Sequence, residues 1–98
     1  MEAERVLDRA LIFLEFERLE EGEKALREAI TLAETQDDEA TLVSAMCCLG
    51  DLLYSMGSDA EAIVWLKKAL AHRRDDLDLD LTEEFQMAEE FLYELGEL

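Results

Sequence analysis

The stretch LGDLLYSMGSDAEAIVWLKKAL, residues 49–70, decides the fold. Leu49, Leu52 and Leu53 recur at helical spacing, stop before Gly57, and the pattern resumes at Ala62, Ile63, Leu66, Ala69 and Leu70. Gly57 stands where a helix C-terminus takes a left-handed residue. Ser58 and Glu61 have the spacing of a capping box, in which Ser58 caps and Glu61 reaches back. The stretch predicts two amphipathic helices meeting at a tight turn, with Gly50, Ala62 and Ala69 small where the helices cross.

Outward from this hairpin the same periodicity continues. Val6, Leu7, Ala10, Leu11, Ile12, Phe13, Leu14, Phe16 and Leu19 predict a first helix over 2–19 that is apolar on two faces. Ala25, Leu26, Ala29, Ile30, Leu32 and Ala33 predict a second over 23–36. Asp38 is placed to cap a third, 39–56, and the fourth runs 59–74, ending on the cations His72, Arg73 and Arg74. After an acidic connector, Asp80 and Glu83 offer another capping box ahead of a fifth helix, 81–95, closed by Gly96. The fold class expected is all-α.

Ninety-eight residues, half of them hydrophobic and none proline, make one domain near the small end of self-sufficient cores. The net charge is −17, and it is uneven. Residues 1–40 carry 13 acidic and 5 basic groups, 41–74 carry 3 and 4, and 75–98 carry 10 and none. Such a field repels nucleic acid and anionic lipid, and attracts cationic protein. No apolar run reaches the roughly 20 residues of a membrane span, and the Met-Glu-Ala-Glu start is not a secretory signal. These features predict a cytoplasmic protein.

Compared with itself at an offset of 40, the chain pairs Ala10 with Gly50, Phe13 with Leu53, Leu26 with Leu66 and Ala29 with Ala69. The second helix also matches at an offset of 37, pairing Ala25 with Ala62 and Leu26 with Ile63. In the third unit Met87-Ala88 and Phe91 stand for Leu49-Gly50 and Leu53. A fixed period with a helical hairpin in each copy is the signature of an α-solenoid. Leu49-Gly50, Leu53-Tyr54, Gly57, Ala62-Ile63, Leu66 and Ala69-Leu70 resemble a tetratricopeptide repeat spanning 43–76. Residues 3–36 form a more degenerate copy and 81–95 a capping helix. The family's early tryptophan is Met46 here, and its closing proline is Arg74.

The resemblance implies a module that binds protein or peptide on the surface lined by the first helix of each unit. Carried over by position, that surface comprises Leu7, Leu11, Leu14 and Glu15, with Glu4 at its start; Ser44, Cys47, Asp51, Tyr54 and Ser55; and Phe85, Glu89 and Leu92. Basic residues that some members use to clamp a terminal carboxylate are absent from these positions. The expected partner is therefore a basic or amphipathic segment, and the expected role an adaptor or scaffold.

Two other classes stay open. Charge concentrated at both ends suits an inhibitor or immunity-type protein that neutralises a cationic enzyme. The breadth of the apolar first helix suits a homo-oligomer built through it.

Catalytic and cofactor chemistry is not expected. Cys47-Cys48 reads as packing, because adjacent cysteines bridge only with strain. Asp76-Leu-Asp78-Leu-Asp80 has Leu81 and Met87 where a calcium loop needs glycine and glutamate, and no metal is expected. No nucleophile–base–orienter set can be assembled around His72 from the residues of the sequence. Trp65 and Tyr54 read as packing or rim residues. Lys67, Lys68, His72, Arg73 and Arg74 are expected to pair with the acidic segment that follows them.

Overall fold

The computed structural model describes residues 2–73 and 80–98. Five helices account for the elements: α1 (Glu2–Glu15), α2 (Leu19–Thr35), α3 (Glu39–Ser55), α4 (Asp59–Leu70) and α5 (Thr82–Glu94). Each of α1 to α4 packs on its successor, α1 and α5 both lie against α3, and α5 also rests on α4. Only α3 touches all the others, which is why Val43, Ala45, Met46, Cys47, Leu49, Leu52 and Leu53 are all buried along it. Burial on several sides is the mark of a central helix, and only a narrow side with Asp51 and Ser55 is left to solvent.

One turn geometry recurs. Arg18 N–H donates to Phe13 O while Glu17 N–H donates to Leu14 O; the same pair of bonds closes α2 at Asp38 and Asp37, α3 at Ser58 and Gly57, and α5 at Glu97 and Gly96. This is the Schellman pattern, with a left-handed residue at C′. That residue is Gly57 (φ 82) and Gly96 (φ 78), as expected, but also Glu17 (φ 61) and Asp37 (φ 54). The first three turns fall 20 residues apart, so hairpins recur every 40 residues.

The first helix is shorter than expected. It ends at Glu15 and not Leu19, and α2 begins at Leu19, four residues earlier than the periodicity suggested. Phe16 and Leu19 extend the apolar pattern across the turn, and no glycine marks the place where Glu17 takes the left-handed conformation. The fourth helix likewise closes at Leu70.

Glycine inside a helix marks both hairpin crossings. A Cβ on Gly50 of α3 would stand 2.7 Å from Leu66 Cγ and Cδ2, and one on Gly22 of α2 would stand 2.5 Å from Leu14 Cδ2. At an offset of 40, Gly22 corresponds to Ala62 and Gly50 to Ala10. Each crossing thus joins one glycine and one alanine, with the order exchanged between hairpins. The turns and crossings together select the offset of 40 over 37. For α5 the turn selects 39, since Gly57 and Gly96 are 39 residues apart. Leu92 and Ala88, not Phe91 and Met87, then take the buried places of Leu53 and Leu49.

Of the expected caps, Asp38 accepts from Thr41 N–H at 3.3 Å. The Ser58 box does not form: Ser58 makes no side-chain cap bond, and Glu61 turns to Arg27 of α2 instead. Leu81 occupies the N-cap of α5 without a side-chain bond, so the Asp80–Glu83 box is not formed either. The first two residues of the triple-aspartate segment, Asp76 and Asp78, lie outside the described residues, as does Arg74.

Candidate functional site

The positions carried over from the repeat resemblance divide into two groups. Leu7, Cys47, Phe85 and Leu92 are in the core. Leu14 is half-buried and fills the α1–α2 crossing against Gly22. These side chains hold α1, α3 and α5 together and are covered by the protein itself. Ser44 and Tyr54 are half-buried because α5 reaches them. Ser44 Oγ donates to Glu84 Oε2 and Tyr54 Oη to Glu94 Oε2, each at 3.5 Å, and the Tyr54 ring tilts against Phe91 at 5.1 Å. Glu89 is engaged with Arg73.

What faces solvent is a narrower strip. Glu4, Leu11 and Glu15 of α1 and Asp51 and Ser55 of α3 are exposed. On α5 the offset of 39 brings Glu83, Glu90 and Glu94 to the equivalents of Ser44, Asp51 and Ser55, and all three are exposed. Tyr93 follows Tyr54 by the same offset and is 74% exposed. The strip holds acids and a few apolar side chains, and no Lys or Arg occupies these positions. Although Asp51 faces solvent, partial desolvation by its neighbours raises its carboxyl above its ordinary value, so its ionised form gains from an added cation. A shallow depression at the end of α5 is lined by Glu89, Glu90, Tyr93, Glu94 and Leu98.

Several cations of α2, of α4 and just beyond α4 have partners of their own. Lys67 Nζ meets Glu97 at 2.7 Å, His72 Nδ1 meets Glu39 at 2.8 Å, and Lys68 Nζ sits 4.6 Å from the Trp65 ring centroid. Arg27 of α2 bonds Glu23 and Glu61 and lies 5.9 Å from the same ring. The Glu61 bond dominates in raising the Arg27 pKa, and the Arg27 bond dominates in lowering that of Glu61. This cluster bridges α2 and α4, whose backbones do not approach as those of α1, α3 and α5 do.

The Cys47 thiol is pushed up to about 12 and that of Cys48 to about 11, chiefly by burial, and Cys47 Sγ donates to Glu84 O at 3.5 Å. Both are therefore protonated packing groups at neutral pH. Among the described residues, no group of three His, Cys, Asp or Glu is arranged to hold a metal ion, and no helix is long and apolar enough to cross a membrane.

Sequence reasoning passed over Ile12 and Phe16 as site residues, although it noted their excess on the first helix. They are 54% and 71% exposed. The signal was the number of apolar residues in that helix, which exceeds what one buried face can accommodate. No family model, curated protein or solved structure matches the chain.

Proposed function

We propose that the chain is a small protein-interaction module, an α-solenoid of tetratricopeptide-like hairpins that binds a basic or amphipathic segment of a partner along α1, α3 and α5. The observation that carries this reading is the acidic strip: Glu15 on α1, Asp51 on α3, and Glu83, Glu90 and Glu94 on α5, with Leu11, Tyr54 and Tyr93 interspersed. Arg9, Arg18, Arg27, Lys67 and Arg73 are each engaged with a carboxylate of the chain, and Arg5, on α1, is outnumbered by the acids around it. The backbone approach of α3 to both α1 and α5, against none between α2 and α4, supports a surface curved toward the strip. The 40-residue hairpin spacing is longer than the about 34 residues of a tetratricopeptide unit, and 17-residue helices such as α2 and α3 accommodate the difference.

Charge reversal tests the reading. The probe is a synthetic amphipathic helix with Leu and Ala on one face and Lys on both flanks, followed by fluorescence anisotropy. Asp51→Arg with Glu90→Arg is expected to weaken binding about tenfold or more, since close charge pairs govern such interfaces. Glu34→Arg with Asp59→Arg changes the net charge equally but lies off the strip, and is expected to change affinity less than about threefold. Equal losses from both pairs would show that overall charge, and not this strip, attracts the peptide.

A further inference from the structure

We infer that the outward face of α1 is a helix-docking surface, which seats the apolar side of the partner segment as α3 seats the first hairpin. The proposal rests on the interaction reading above and adds where the apolar anchor lies.

The chain carries its own template for this contact. On α3, Gly50 meets α4 through Leu66, and Ser44, Cys47 and Tyr54 meet α5. The remaining side of α3, with Ala45, Cys48 and Leu52, is left for the α1–α2 hairpin, the only other neighbour of α3 among the described residues. There Ala45 is fully buried and Leu52 only 6% exposed. Forty residues earlier, on α1, the same stripe is Arg5, Asp8 and Ile12, continued by Phe16. All four are exposed, because nothing described here packs on that side of α1. Leu11 and Leu19, also exposed, border the stripe. The backbone of α1 thus presents to solvent a face that, one hairpin later, is closed by helices.

Charge selects among occupants. Asp8 replaces the half-buried Cys48, and Glu4, Glu15, Glu17 and Glu20 surround the apolar residues. Two nearby cations are already engaged, Arg9 with Glu28 at 2.8 Å and Arg18 with Glu21 at 2.7 Å, and Arg5, on the stripe itself, is outnumbered by these acids. A second copy would bring another net charge of −17 to this rim, which opposes association. A helix with an apolar stripe flanked by Lys or Arg satisfies both the apolar centre and the acidic border.

The same Lys-flanked amphipathic peptide provides the test. Ile12→Asp with Phe16→Asp adds negative charge, so attraction by charge alone would hold or strengthen the complex. Docking on this face instead requires at least a tenfold loss of affinity, with the melting temperature little changed because both side chains are exposed. Ile12→Ser with Phe16→Ser, which leaves the charge alone, is expected to lose binding as well. Undiminished binding by both variants, with loss in the Asp51→Arg and Glu90→Arg pair, would overturn this face while leaving the interaction reading in place. No binding to the wild type would remove both. A wild-type dimer in sedimentation that Ile12→Asp dissociates would assign the face to a second copy and overturn the proposal.

Discussion

Leu66 of α4 lies directly over Gly50 of α3, with its Cγ and Cδ2 both 2.7 Å from where a Cβ would stand, and Leu66 has no exposure to solvent. The α1–α2 hairpin repeats this contact between Gly22 and Leu14, but Leu14 is only half-buried. The two glycines therefore differ in what a methyl group would encounter. Leu14 can swing toward water; Leu66 is enclosed.

Gly50→Ala is accordingly expected to destabilise by about 1–2 kcal/mol net, overpacking outweighing the helix preference of alanine. Gly22→Ala is expected to lie within about 0.5 kcal/mol of wild type, because Leu14 can yield and alanine gains about 1 kcal/mol of helix propensity. Urea titrations of the two variants check the order.

Glu17 and Asp37 hold φ values of 61 and 54, where Gly57 and Gly96 stand in the equivalent turns. Left-handed backbone costs a non-glycine residue about 1 kcal/mol or more, while glycine adds entropy to the unfolded chain. Glu17→Gly is expected to raise stability by about 0.5–1 kcal/mol. Asp37→Gly should behave alike, and thermal unfolding of each variant reads the gain.

Arg27 and Glu61 join α2 to α4 at 2.5 Å across a partly exposed surface. Exposed pairs contribute little, so a double-mutant cycle with Arg27→Gln and Glu61→Gln is expected to return about 0.5–1 kcal/mol of coupling, reduced by salt. The lowered Glu61 pKa gives the sign with acid. The contribution is present above the ordinary carboxylate value and is lost as pH falls through the lowered one.

The cysteines give the sign with base. Native Cys47 and Cys48 keep their protons to about 12 and about 11, while unfolded thiols release theirs around roughly pH 8.5–9. Above that pH the unfolded chain binds fewer protons, so stability falls as pH rises toward the native values. The double variant Cys47→Ala, Cys48→Ala should show a shallower decline between roughly pH 9 and 11 in urea titrations. Thiol reagents at neutral pH should modify the native protein far more slowly than the unfolded one.

The helices were legible because the apolar period is strong, and Gly57 and Gly96 announced their turns through backbone preference. The turns at Glu17 and Asp37 carry no such residue; backbone hydrogen bonds impose the left-handed conformation there. Phe16 and Leu19 therefore looked like one continuous helix. Glu61 could be placed three residues after Ser58 by spacing, but the competing attraction of Arg27, 34 positions earlier, is a tertiary effect. Correspondence along the chain gave the α1 and α3 positions of the strip but pointed to Phe85, Glu89 and Leu92 on α5, where the turn at Gly96 instead brings Glu83, Glu90 and Glu94 into line. Which of them face water did not follow from it, because burial of Leu7 and Cys47 depends on how closely α1, α3 and α5 pack.

A basic amphipathic segment is proposed to meet the acidic strip and the outer face of α1. Amide chemical-shift mapping on the intact protein, titrated with the Lys-flanked helical peptide, locates that contact residue by residue. Saturable shifts are expected at Leu11, Ile12 and Phe16 and along Asp51, Ser55, Glu90 and Glu94, with the amides around Trp65 quiet. Shifts centred on Trp65 and Lys68, or no saturable shifts at all, would contradict that contact.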